Sequence, residues 1–361
     1  MTIQIHPFPY DAESNGFFAA LTSAVMHCHH ITEDTPVYCA PKGKHCNLCH
    51  GCGIQNRLQK HHIELYHALL TASAAAFTFD YPEDDDVEYH TMPDTPIGWR
   101  WDNGFVDSIM DICGLTYHRY NGKSAVEMYD IVHKSVEDGY TALCANYSDG
   151  VFTCWSVVNA VTDNGIRIMK HGGNVVNAEG VFDDWLVIEG RCTAKQTYRD
   201  VLERIYAVLT DPSHEKLEAE LIDELKHVTE ENAAGMAYKL MGICGVFTET
   251  RWHAAEGMTN PENLVGRLAG NADVKKALGD IAFSRYIADN NNESHGIGWR
   301  IWGCLGVGPE TGYMPTEQSF ALIREPEVQA ELARLYRIVF ENDKIVAAAI
   351  RKGMDNHVIN V

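Results

Sequence analysis

The feature that most constrains this chain is a change of hydrophobic period along it. From about residue 193 to the end, apolar residues recur every three to four positions, the pattern of amphipathic helices. The stretches 202–209, 217–228, 233–246, 274–288 and 328–340 all carry it, and Glu325-Pro326 and Asn260-Pro261 each mark a helix start. Between about 140 and 190 the pattern changes to short β-forming runs: 141–147, 154–161, 166–169 and 185–188. Asp163-Asn164-Gly165 supplies a tight turn between two of them, so the expected sheet is antiparallel. Ahead of it, 15–26, 53–77 and 104–114 have helical spacing, and Ser124-x-x-Glu127 is a capping box opening a helix that Gly139 closes. The expected fold is α+β over residues 1–190, followed by an all-α domain over 191–361.

Charge narrows the function. The net charge is -21 and no basic cluster exceeds Lys42-Gly-Lys44. Phosphate backbones are bound by neutralising them with Lys and Arg, so no nucleic-acid partner is expected. The same charge disfavours an anionic membrane surface. No apolar run has the length of a membrane span, and residues 1–10 lack a basic, apolar leader, so a cytoplasmic protein is expected. The 11 cysteines of a chain without an export signal read as thiols or metal ligands rather than a disulfide framework. The composition leaves a homodimer open.

The chemistry-bearing residues concentrate between His27 and Cys52: Cys28, His29, His30, Cys39, His45, Cys46, Cys49, His50 and Cys52. A thiol at a helix N-terminus beside imidazole is activated as a thiolate, and a helix starting between Gly51 and Ile54 would put Cys49 and Cys52 there. The same spacing serves a metal: Cys46-x2-Cys49-x2-Cys52 with Cys39, Cys28 or His50 as a fourth ligand suits an iron–sulfur cluster or zinc. Cys46-Asn-Leu-Cys49-His50 also satisfies the haem-attachment pattern, which needs export that nothing here signals. Taken singly, each residue reads as an ordinary packed thiol or loop histidine.

A longer pattern joins these residues to the sheet. His45-Cys46 or Leu48-Cys49 is followed by Asn56-Arg-Leu58, Glu64-Leu65, Phe77-Thr-Phe-Asp-Tyr81, Ile97-Gly-Trp-Arg100, Val136-Glu-Asp-Gly-Tyr140 and Cys154-Trp-Ser-Val-Val158 with Asp163. The order resembles the papain-like fold of the bacteriocin-leader peptidases and, more closely, the butirosin biosynthesis protein H family of cysteine-dependent acyltransferases. His295-Gly-Ile-Gly-Trp-Arg300 resembles a motif of that family's helical domain. The resemblance implies a papain-like core, a cysteine nucleophile (Cys49, with Cys46 the alternate), and an acyl substrate that is a small molecule or is carried on a protein.

The resemblance also predicts a departure. Cys154 stands where the family strand carries its histidine base, and His171 stands near the place of the residue that orients that base. The triad does not carry over intact. Either His171 or His45 acts as base, or Cys49, Cys154 and His171 form a zinc site with an open position. A relative without catalysis, serving as a binding module, is the remaining expectation.

Overall fold

The computed structural model describes residues 1–6, 16–35, 38–39, 44–45, 57–77, 103–146, 155–170, 173–259, 268, 272–288 and 294–355. The chain divides into two units. One comprises Met1–Ser73, Pro93–Thr197 and Glu262–Leu268; the other comprises Ala74–Met92, Tyr198–Pro261 and Ala269–Val361.

The first unit opens on helix α1 (Gly16–Cys28), twelve of whose thirteen residues are buried. No polar stripe survives such burial, which matches its apolar sequence all round. A two-residue ladder follows, β1 (Tyr38–Cys39) with β2 (Lys44–His45), and then helix α2 (Arg57–Ala72). Helix α3 (Asn103–Ile112) ends at Gly114, whose φ of +65° turns the chain into β3 (Leu115–Ser124). Next comes α4 (Ala125–Glu137), opened by the expected capping box. Glu127 N–H donates to Ser124 Oγ at 3.3 Å, and Ser124 N–H donates to Glu127 Oε2 at 2.9 Å. Gly139, at φ +87°, follows the helix end as expected.

Strands β4 (Ala142–Ala145), β5 (Trp155–Thr162), β6 (Gly165–Met169), β7 (Val175–Asn177) and β8 (Val181–Arg191) complete the unit. The sheet order is β3-β8-β4-β5-β6-β7, antiparallel throughout. The Asp163-Asn164 turn joins β5 to β6 as the sequence predicts. All four residues of β4 are buried, and alternate residues face opposite sides, so both faces of the sheet centre are covered. Helices α1 and α4 pack on these strands. The α+β class is therefore observed. The sequence does not signal β3, because this edge strand is polar and carries Asn121-Gly122 in its length. Its pairing with β8 also lengthens that strand beyond the predicted 185–188.

The second unit is helical throughout its described residues. A 3₁₀ turn (Ala75–Phe77) is joined by α5 (Tyr198–Leu209), α6 (Pro212–Leu225), α7 (Ala233–Thr259), α8 (Ala272–Tyr286), α9 (Ser294–Cys304), α10 (Glu317–Leu322) and α11 (Pro326–Asp355). The α11 start at Pro326 agrees with the Glu325-Pro326 signal; Asn260-Pro261 lies outside the described residues. Leu221, Leu240, Ile297, Leu332 and Leu335 belong to one apolar core shared by α6, α7, α9 and α11. Two helices outrun the stretches predicted for them: α7 continues beyond 246 and α11 beyond 340, with Ala254, Ala255 and Met258 buried in the first extension and Val346, Ile350 and Met354 in the second. Among the described residues, no helix is long and apolar enough to cross a membrane.

Candidate functional site

The first turn of α1 meets the start of β5. The Phe17 ring lies edge-on to Trp155 with centroids 5.0 Å apart, and Phe105 of α3 closes the same corner at 6.4 Å. Trp155 is 1% exposed and immediately follows Cys154 in the chain. The first turn of a helix, the positive end of its dipole, is thus set against the first residue of a central strand.

At its other end α1 closes in a Schellman arrangement. Ile31 N–H donates to Met26 O, His30 N–H donates to His27 O, and His30 takes φ +54°. This bend carries His29 toward α3, where its Nε2–H donates to Cys113 O at 2.7 Å. Cys28 is buried, and burial pushes its thiol up to about 12. Cys113 is pushed higher still, first by burial and then by the neighbouring Cys28 and Cys192. Cys192 is exposed, and its N–H donates to Gly114 O at 2.8 Å. Three thiols from positions 28, 113 and 192 therefore meet near one helix end. No spacing along the chain announces this grouping, since a ladder register and a helix end bring the three together. Buried, protonated thiols are poor nucleophiles and poor metal ligands.

Of the residues expected to carry chemistry, Cys39 and His45 lie on the small ladder, where Cys39 pairs with Lys44 and His45 with Tyr38. Cys46, Cys49, His50, Cys52, Cys154 and His171 lie outside the described residues. Helix α2 is described from Arg57 onward. Among the described residues no three His, Cys, Asp or Glu side chains converge as a metal site would require.

The helical unit holds a second polar centre that the sequence does not announce. Arg251 of α7, 0% exposed, forms a two-pronged ion pair with Asp343 of α11: Nε to Oδ1 at 3.1 Å and Nη2 to Oδ2 at 2.7 Å. Its Nη1 donates to Ala76 O at 2.8 Å, and Tyr286 of α8 donates its hydroxyl to Asp343 Oδ1 at 2.9 Å. Burial, and then Asp343, hold the Tyr286 phenol well above its ordinary range, so it stays a donor. Beside this centre, α5, α6 and α11 wall a cleft of about 670 Å³. His214 lines it; burial and then Arg251 hold its imidazole below the usual range. Trp252 and His253, next to Arg251 in the chain, are not among the cleft's lining residues. His253 sits buried in α7 with its ring 4.9 Å from that of Trp252.

No family model, curated protein or solved structure matches this chain.

Proposed function

We propose that the chain is a thiol-dependent acyl-transfer or amide-bond enzyme on a papain-like core, with Cys49 as nucleophile and Cys46 as the alternate. The observation that supports this reading is the corner where the α1 N-terminus meets the start of β5, through Phe17 and Trp155. Acyl transfer is favoured by such a corner, where the positive end of a helix dipole lies beside a strand that can bring a proton acceptor. In this reading the thiolate attacks a thioester or amide carbonyl, forming the S–C bond. The leaving thiol or amine departs with the proton held by His171 or His45. The acyl group then passes to an amine or to water. In this reading Cys49 belongs to the stretch that precedes α2 in the chain, and α1 carries no cysteine in its first turn.

The test is native alkylation mapped by mass spectrometry. Cys28, Cys113 and Cys144 are buried, so the background is low, with Cys192 the exposed reference. Fast modification of Cys49, with loss of thioester turnover in Cys49→Ala and none in Cys192→Ser, is expected. Slow, even labelling of all exposed thiols would sink the reading.

A second reading is favoured by the β1–β2 ladder. Two residue pairs are too few to stand without support. Zinc or an iron–sulfur cluster held by Cys39, Cys46, Cys49 and Cys52, with His50 as a further donor, would tie that ladder to the following segment. Cys28 is the weakest member of the expected ligand set, because its buried thiol holds its proton. Metal analysis and an absorption spectrum on anaerobically purified protein decide this reading. One zinc or one cluster per chain supports it; a folded, colourless, metal-free protein rejects it.

A further inference from the structure

We infer that the helical unit binds a small zwitterion with an apolar body in the cleft between α5, α6 and α11. Its volume, about 670 Å³, is within the range of small-molecule sites. The two long walls carry opposite charge. Glu215 and Glu218 stand on α6; Lys344 and Lys352 stand on α11. Lys344 is committed to Glu218 at 3.1 Å, and Arg351, on the same wall, to Asp355 at 3.0 Å. That leaves Glu215 and Lys352, one charge of each sign on facing walls, with no hydrogen-bond or ion-pair partner among the described residues.

Of the other charged lining groups, Asp211 is committed as the cap of α6, accepting from Ser213 N–H at 2.8 Å at the positive end of that helix. Asp343 is neutralised by Arg251, and His214 is neutral near pH 7 because burial disfavours its cation. Tyr206 and Phe340 offer apolar surface between the walls. A purely anionic ligand would meet Glu215 and Glu218 at close range, and a purely cationic one would meet Lys344 and Lys352. A molecule with an ammonium group at one end and an anionic group at the other satisfies both walls. The assignment rests on the cleft alone and is independent of the thiol reading.

The experiment is calorimetric titration of the full chain with three probes of one shape: L-phenylalanine, its N-acetyl derivative (anion only) and its amide (cation only). L-phenylalanine is expected to bind at least about tenfold more tightly than either. Glu215→Gln should weaken L-phenylalanine and the amide but not the N-acetyl form, and Lys352→Gln should do the reverse for the two derivatives. Both positions are exposed, so neither change threatens the fold. Absence of saturable binding by L-phenylalanine, equal affinity for all three probes, or binding indifferent to both substitutions would each overturn the assignment.

Discussion

Arg251 shows what a single residue can decide. A guanidinium at 0% exposure is tolerated because Asp343 neutralises its charge and Asp343, Ala76 O and Thr250 Oγ1 accept from its donors. Removing one partner leaves the other charge buried and uncompensated. Arg251→Met or Asp343→Asn should therefore cost about 3–5 kcal/mol in urea unfolding. The double replacement by apolar residues should cost clearly less than the sum of the two. Strict additivity would show that the pair is not coupled. At the same scale, Cys28, Cys113 and Cys144 are thiols whose protons are held by burial. Ellman's reagent should leave all three unmodified in native protein at pH 8 and react with them in urea; rapid native reaction at any of them contradicts the described burial.

Elements follow local rules wherever packing does not intervene. The α4 capping box is one such place, and Ser124→Ala should cost about 1 kcal/mol by removing the acceptor for Glu127 N–H. The Glu127 carboxylate is held down to about 2, first by the Ser124 backbone N–H and then by the Ser124 hydroxyl, so the box stays formed across the neutral range. Two helical glycines give opposite predictions. A Cβ at Gly235 in α7 would meet nothing within 4 Å, so Gly235→Ala should stabilise by up to about 1 kcal/mol. A Cβ at Gly279 in α8 would lie 2.7 Å from the Met258 carbonyl oxygen. That contact is backbone and cannot swing aside, so Gly279→Ala should destabilise by about 1–3 kcal/mol, as overpacking does. Thermal melts of the two variants should shift in opposite directions; a shared sign would mean that the α7–α8 crossing is looser than described.

For the whole molecule, buried and half-buried histidines set the response to acid. Burial holds His253 down to about 3 and lowers His6; it is also the first cause of the lowering at His27 and His214. Their folded pKa values lie below the unfolded value of about 6.5. Between those limits the unfolded chain binds protons that the folded chain does not, so stability is full above about pH 6.5 and falls as pH drops. His253 alone contributes a slope of about 1.4 kcal/mol per pH unit below that point. Urea midpoints measured from pH 7.5 to 4.5 should decline, and His253→Phe should flatten the decline. A wild-type midpoint that does not move over this range would contradict the buried, neutral state of these rings.

The sequence by itself determined what depends on neighbours along the chain. The switch of hydrophobic period separated the sheet-bearing part from the helical part. The Ser124–Glu127 box, the Asp163-Asn164 turn and Pro326 fixed local starts and turns, because caps and turns are satisfied within a few residues. Tertiary structure decided the rest. The 10-residue strand β3 exists because β8 supplies its hydrogen bonds, which no periodicity of its own polar residues encodes. Helices α7 and α11 run on through Arg251 and Asp343, two buried charges that neutralise each other across the helix pair. The Cys28–Cys113–Cys192 grouping and the opposed walls of the cleft are likewise products of register and helix packing. The thiol-rich 39–52 stretch stands out in the sequence by residue type and spacing, and its chemistry is the proposal made above. Which side chains from elsewhere in the chain stand beside it is a matter of tertiary contact, and residue types along the chain do not encode it.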